Sequence, residues 1–233
     1  MTPTKRVPHT NALLGKLPKK EYQRLLTLME ETPLKLGETI YQSGELINDV
    51  YFPNSGIISL LAGDPERVTL EVGLIGREGM VGLPVFMGVG TSRHHAVVQG
   101  EGIALTMKPA KLRKECNNGN SLGRVLGRYS HSLLTQVTQS AVCNQFHTIE
   151  ARMARWLLMS HDRMLTDEFT LTQEFLSHML GVRREGVSRA ASELQKRKLI
   201  RYSRGTLKIL DRQGLEAISC GCYQSIRDEA NLV

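Results

Sequence analysis

Residues 170–210 constrain this chain most. Two short helical patterns meet there at a single turn, Gly181, which is the sequence form of a helix-turn-helix. Thr172 is placed to cap the first helix with its hydroxyl. Leu176, Met179 and Leu180 repeat at helical spacing and form its predicted buried stripe. Gly181 supplies the left-handed backbone that so tight a turn requires. In the second helix Val187, Ala190 and Leu194 fall on one face, and Arg184, Glu185, Ser188 and Arg189 on the other. A face of that kind suits a DNA major groove. Arginine forks match guanine O6 and N7, and a carboxylate accepts from cytosine N4.

Charge points the same way. Residues 183–212 hold ten Lys or Arg against three acids, a local balance of +7 that equals the charge of the whole chain. Positive charge clustered beside a helix-turn-helix is the footprint of phosphate binding. Lys196, Arg197, Lys198, Arg204 and Lys208 are the candidate phosphate contacts, and Arg183 is a further candidate DNA-binding residue. The plain alternative for this motif is a solvated basic helix pair, and the rival function is a nucleotide- or ligand-sensing interaction module whose C-terminal part no longer binds DNA.

At 233 residues the chain has room for two domains, each with its own core. A hydrophobic content of 41 % is that of a globular protein. No apolar run reaches the ~20 residues of a bilayer span. Residues 1–20 carry Lys and Pro without the apolar stretch of a signal peptide, so a cytoplasmic location is expected. Cys116, Cys143, Cys220 and Cys222 are then expected as reduced thiols.

Residues 10–31 read as a helical entry. Runs at 34–41, 50–52, 56–62, 67–75, 94–99 and 102–107 read as short strands with glycine turns, the pattern of a sandwich or jelly roll. Residues 84–87 form a short helical break, and Pro109 opens a helix. A long helix at about 120–142 carries Leu122, Leu126, Tyr129, Leu133 and Val137 in one seam, read here as a dimerisation surface. A hinge is placed at 143–145, and a further helix at 148–164 leads into the helix-turn-helix. The runs 199–202 and 206–210 flank Ser203, Arg204 and Gly205 as a hairpin wing, and 211–219 closes as a helix. The predicted class is α+β. Residues 1–146 form a β-roll with the long helix, and 147–233 a winged helix-turn-helix domain.

These features resemble the Crp/Fnr family of bacterial transcription regulators. The likeness rests on Gly44-Glu45, on the stretch from Val50 to Gly56, and on residues 171–210. The family's Arg-Glu-x-x-x-Arg pattern falls on Arg184, Glu185 and Arg189, and the resemblance implies that these three contact base edges. It also implies a cyclic-nucleotide-binding-type roll. In family members that bind cyclic AMP, a Gly-Glu-Leu turn reaches the ribose and an Arg-Ser or Arg-Thr pair neutralises the phosphate. Here those positions hold Gly82-Leu83-Pro84 and His94-His95, with Arg93 one step away and Arg77 further upstream. A one-residue slip in a strand reverses the face of a side chain, so Arg93 is a poor substitute. Cyclic AMP binding is therefore not expected.

No metal or cofactor site is expected either. Adjacent strand residues such as His94 and His95 point to opposite faces. Cys143 and His147 are four apart, but two ligands are fewer than a closed zinc site needs. Cys220 and Cys222 are a close thiol pair with the chemistry to bind metal or oxidise, read here as two reduced thiols. No Walker loop, Gly-x-Ser-x-Gly elbow or His-Glu-x-x-His is present, and the chain is not expected to be an enzyme. The implied partners are double-stranded DNA, a second copy of the chain and RNA polymerase. A small-molecule effector is either unnamed or absent, and no membrane is involved.

Overall fold

A computed structural model describes residues 11–64, 68–117, 120–164 and 166–232. The N-terminal reading falls partly on residues 1–10, and the start of the strand at 67 on a further residue, outside the described ones. Two short helices, α1 (Ala12–Gly15) and α2 (Lys19–Leu26), lead in. Five strands follow: β1 (Glu30–Leu34), β2 (Thr39–Tyr41), β3 (Val50–Pro53), β4 (Ile57–Asp64) and β5 (Val68–Ile75). The short helix α3 (Leu83–Phe86) precedes β6 (His95–Gly100) and β7 (Gly102–Met107). Next come α4 (Pro109–Asn117), α5 (Ser121–Phe146) and α6 (Ile149–Met164). The remainder is β8 (Glu168–Thr170), α7 (Gln173–Leu180), α8 (Arg184–Lys196), β9 (Ile200–Ser203), β10 (Thr206–Ile209), α9 (Arg212–Ile218) and α10 (Cys222–Leu232).

The first seven strands form two antiparallel sheets, ordered β1-β7-β3 and β2-β6-β4-β5. Phe52, Val50, Ala104 and Met107 from one sheet meet Ile58, Leu60, Ile75 and Val98 from the other in a common core. Successive strand residues point to opposite faces. Ile57, Leu61 and Leu74 therefore point away from that core, into a second one shared with α6 and the helix-turn-helix. This explains the nearly unbroken apolar run of β4: its sheet is covered on both sides. β5 is an edge strand. The Gln136 side chain accepts from Leu74 N at 2.5 Å and donates to Leu74 O at 3.3 Å, so an amide of α5 covers part of that edge.

The α+β class holds, with local differences. The run at 34–41 is split between two sheets, because the chain turns at Gly37 (φ +79°). β1 begins inside the region read as a helical entry. The long helix continues through the expected hinge, and the break falls at His147 and Thr148. β8 and α10 have no counterpart in the sequence reading.

The dimerisation seam needs correction. Leu122, Leu126, Tyr129 and Leu133 are buried within the protomer against the roll, and the Tyr129 hydroxyl donates to Met80 O at 3.0 Å. Val137 is half-buried over the same core. The outward edge of α5 instead shows Leu134, Val142 and Phe146.

One half-buried acid joins the two cores. Glu71 accepts from Ser59 Oγ (2.6 Å), Gln99 Nε2 (3.1 Å) and Trp156 Nε1 (2.9 Å). Burial pushes its carboxyl up to about 7, against the hydrogen bond from Ser59, the positive charge of Arg155 and the bonds from Trp156 and Gln99. The folded value lies above the ordinary 4.5, so this group's contribution to stability is greatest below 4.5 and is lost as pH rises through about 7. Thermal unfolding across that window should show a Tm that falls toward alkaline pH. Glu71→Gln should flatten the slope, since a neutral amide retains the contact with Trp156. An unchanged slope in that variant would assign the pH dependence to another group.

Candidate nucleic-acid interface

The helix-turn-helix is built as its local sequence dictates. Thr172 Oγ1 accepts from Phe175 N at 3.0 Å and caps α7. Gly181 ends the helix in the left-handed region (φ 59°, ψ 43°), and Val182 N reaches back to Ser177 O at 3.0 Å. Leu176, Met179 and Leu180 are buried beneath it. Arg152 of α6 donates to the Leu180 carbonyl, satisfying an acceptor that the helix end leaves open. In α8, Gly186, Val187, Ala190, Ala191 and Leu194 are buried against α6 and α7. Small residues at 186, 190 and 191 let the second helix lie close, which fixes the direction of its outer face.

That outer face carries Arg184, Glu185 and Arg189, all exposed, with Ser188 half-buried beside them. No side-chain hydrogen bond or ion pair ties Arg184, Glu185 or Arg189 to another described residue. Arg183 is the N-cap and is exposed, so its guanidinium stands at the positive end of the α8 dipole, where a phosphate binds well.

The wing is a hairpin closed by Arg204 (φ 50°) and Gly205 (φ 79°). Two consecutive positive φ values are the tight-turn geometry that matches strand twist, and they set the exposed Arg204 at the tip. β8 pairs with β10 on its other side, so the wing has three strands. Lys208 lies half-buried in the middle strand, with Arg201 and Glu168 as cross-strand neighbours. Lys196 is exposed but pairs with Glu193 at 2.6 Å, and Lys198 (φ 58°) follows the helix end. Lys196 lies ~18 Å along α8 from Arg184, at the rise of a regular helix, and Lys198 lies beyond the helix end. Arg212 is held by Asp162 (2.7 Å), Glu216 (3.1 Å) and the Tyr223 hydroxyl (2.7 Å), so this cation of the basic cluster is structural.

Comparison with known proteins agrees with this architecture. Residues 31–118 match the cyclic nucleotide-binding domain model, and residues 151–218 match the Crp-like helix-turn-helix domain model. The chain belongs to the Crp/Fnr family. FixK2 from Bradyrhizobium japonicum is similar in structure at a TM-score of 0.70 and 19 % identity, covering 82 % of this chain and 98 % of that one. A Crp-family transcriptional regulator from Thermus thermophilus gives 0.68 and 20 %, covering 81 % and 96 %. A Crp/Fnr-family protein from Eubacterium rectale gives 0.70 and 17 %, covering 89 % and 97 %. No curated protein sequence matches. Membership makes the chain a DNA-binding transcription regulator. No described helix is long and apolar enough to cross a membrane.

In this Crp/Fnr protein the roll holds a hollow beside α3 and α5. The hollow, about 170 Å³, is lined by Tyr41, Leu60, Met80, Leu83, His94 and Leu133, among others, and by no Lys or Arg. Leu83 is buried at the start of α3. Arg93 precedes β6 and is exposed, while Arg77 faces a separate groove beside Glu78 and Asp162. Burial lowers the His94 pKa below its ordinary value, and neighbouring His95 adds to this, which favours the neutral imidazole.

Sequence reasoning takes the cysteines and histidines in adjacent pairs. The fold brings Cys143, His147, Cys220 and Cys222 into one cluster, which spacing along the chain could not reveal.

Proposed function

We propose that the protein regulates transcription as a homodimer on a pseudo-palindromic site. Arg184, Glu185 and Arg189 read base edges in the major groove. Arg183, Lys198 and Arg204, with secondary help from Ser188, Lys196 and Lys208, position the phosphate backbone. The domain division follows the break after α5, with 1–146 as roll and long helix and 147–233 as the DNA-binding part. The observation that carries this reading is the row of exposed, unpartnered polar side chains on the outer face of α8. An interaction module would have no use for two free arginine forks flanking a carboxylate at groove-reading spacing.

Selection of bound fragments from random genomic DNA at moderate salt tests this. The expected product is a motif with two inverted half-sites one helical turn apart, ~34 Å. Enrichment of no motif, or of an unpaired one, would count against the dimeric reader.

We also propose that cyclic AMP is not its signal. A cyclic phosphate in a roll needs a fixed cation, since an unpaired buried charge is very costly. The hollow offers only a neutral imidazole there, a weaker partner than a guanidinium fork. Calorimetric titration with cyclic AMP and cyclic GMP should give no micromolar binding and no gain in DNA affinity. Micromolar binding of either, with a matching gain, would restore a ligand-gated roll.

A further inference from the structure

From the cluster at the end of α5 we infer a tetrahedral metal site, a Cys₃His centre for zinc, formed by Cys143, His147, Cys220 and Cys222. The four ligand atoms all lie within 4.8 Å of one another. Cys143 Sγ and Cys220 Sγ are 3.3 Å apart, and Cys222 Sγ and His147 Nδ1 are 3.5 Å apart. Zinc bonds of about 2.3 Å to sulfur and 2.0–2.1 Å to nitrogen set tetrahedral ligand–ligand distances of about 3.5–3.8 Å. The cluster is thus already near the size of a filled site, and small side-chain rotations suffice to complete it.

The backbone delivers the ligands as two pairs. Cys143 and His147 are one helical turn apart, and His147 is the C-cap of α5, its N–H still bonded to Cys143 O at 3.2 Å. Cys220 and Cys222 come from the link between α9 and α10, with Cys222 as the first residue of α10. All three cysteines are buried and His147 is half-buried, so the centre is closed, as structural zinc sites are. Three thiolates and one imidazole favour zinc over magnesium or calcium, which prefer oxygen donors.

The surrounding charge supplies an independent observation. Arg152 and Arg155 are buried, and the Nε of each lacks a hydrogen-bond partner. Among the described residues neither has a carboxylate within ion-pair distance. Both act electrostatically on the cysteine cluster. A zinc ion with three thiolates carries a net charge of −1, which gives both guanidinium groups an anionic neighbour close by, beyond the Glu71 carboxyl whose titration the charge of Arg155 already lowers. A disulfide explains less. It would use two sulfurs, leave a thiol and an imidazole without a purpose, and provide no negative charge. The bound metal would fasten α10 to the last turn of α5 across the break that precedes α6.

Untagged full-length protein, purified under reducing conditions, is the material to use. Metal analysis should find about one zinc per chain, and chelator-stripped protein should take up one cobalt(II) with the absorption of a tetrahedral thiolate complex. Cys222→Ser and Cys143→Ser should lose tight binding, whereas Cys116→Ser should keep it. His147→Ala, at a half-buried helix end, guards against a folding artefact. It should remain folded yet bind cobalt more weakly with an altered spectrum. Stripped wild-type protein that takes up no cobalt would overturn the proposal. So would an unchanged cobalt spectrum in Cys143→Ser, or a Cys143–Cys220 disulfide in place of the metal.

Discussion

Replacing Arg184 with Ala should cost about 1–3 kcal/mol of specific binding per half-site, roughly 5- to 150-fold, and relax the preferred base at one position. The size follows from geometry. Arg184 is exposed in the first turn of α8 and has no described partner to give up, so its fork is available to a guanine edge. Arg189, five residues on and also exposed, should show a comparable loss at a different base pair. Arg204→Ala, at the wing tip, should behave otherwise. It should weaken specific and random DNA alike and lower the salt slope by about 1, as a phosphate contact does. Lys208→Ala should matter less than Arg204→Ala, because Lys208 lies half-buried within the wing sheet. Binding isotherms on specific and random duplexes at several salt concentrations separate these cases. If Arg184→Ala reduced both affinities equally, the base-reading role would pass to another residue.

The helix-turn-helix was legible because its determinants are local. A capping threonine, a glycine turn and an apolar stripe act within a dozen residues, and each fixes geometry whatever surrounds it. The roll was legible in outline for a similar reason, since alternating strands and glycine turns announce themselves. Where the turn at Gly37 sends β1 and β2 into different sheets, the choice depends on distant partners, β7 about seventy residues from β1 and β6 more than fifty from β2. β8 was invisible because three residues form a strand only by pairing with β10.

The candidate sites divide along the same line. Arg184, Glu185 and Arg189 share a face by helical periodicity alone. The cysteine cluster does not, because its two halves are separated by 77 residues, counted from Cys143 to Cys220. Each half looks insufficient until the α9–α10 link is folded against the end of α5. The seam of α5 shows the opposite failure. Its periodicity is plain in the sequence, but an apolar stripe cannot say whether it faces its own domain or another chain. Here the roll covers Leu122 and Leu126 completely.

That distinction sets the second large effect. Leu126 is fully buried, so Leu126→Glu should damage the roll itself, with lost thermal stability before any change of assembly can be read. The informative variant is on the outward edge. Leu134 is 63 % exposed and Phe146 is 75 % exposed, and with Thr138 and Val142 they follow one another every four residues along a single stripe. Such a stripe on a helix of 26 residues, about 39 Å at helical rise, can pair with its own copy in a two-fold arrangement. Leu134→Glu places like charges opposite each other at that contact while leaving the core of the roll intact. The expected result is a folded monomer with an unchanged Tm for the roll. Its affinity for a full operator should fall by roughly 10²–10⁴-fold, the advantage of linking two half-site contacts. Its affinity for an isolated half-site should be nearly preserved. Sedimentation and half-site binding distinguish this from misfolding. A Leu134→Glu protein that still sediments as a dimer would move the interface off α5.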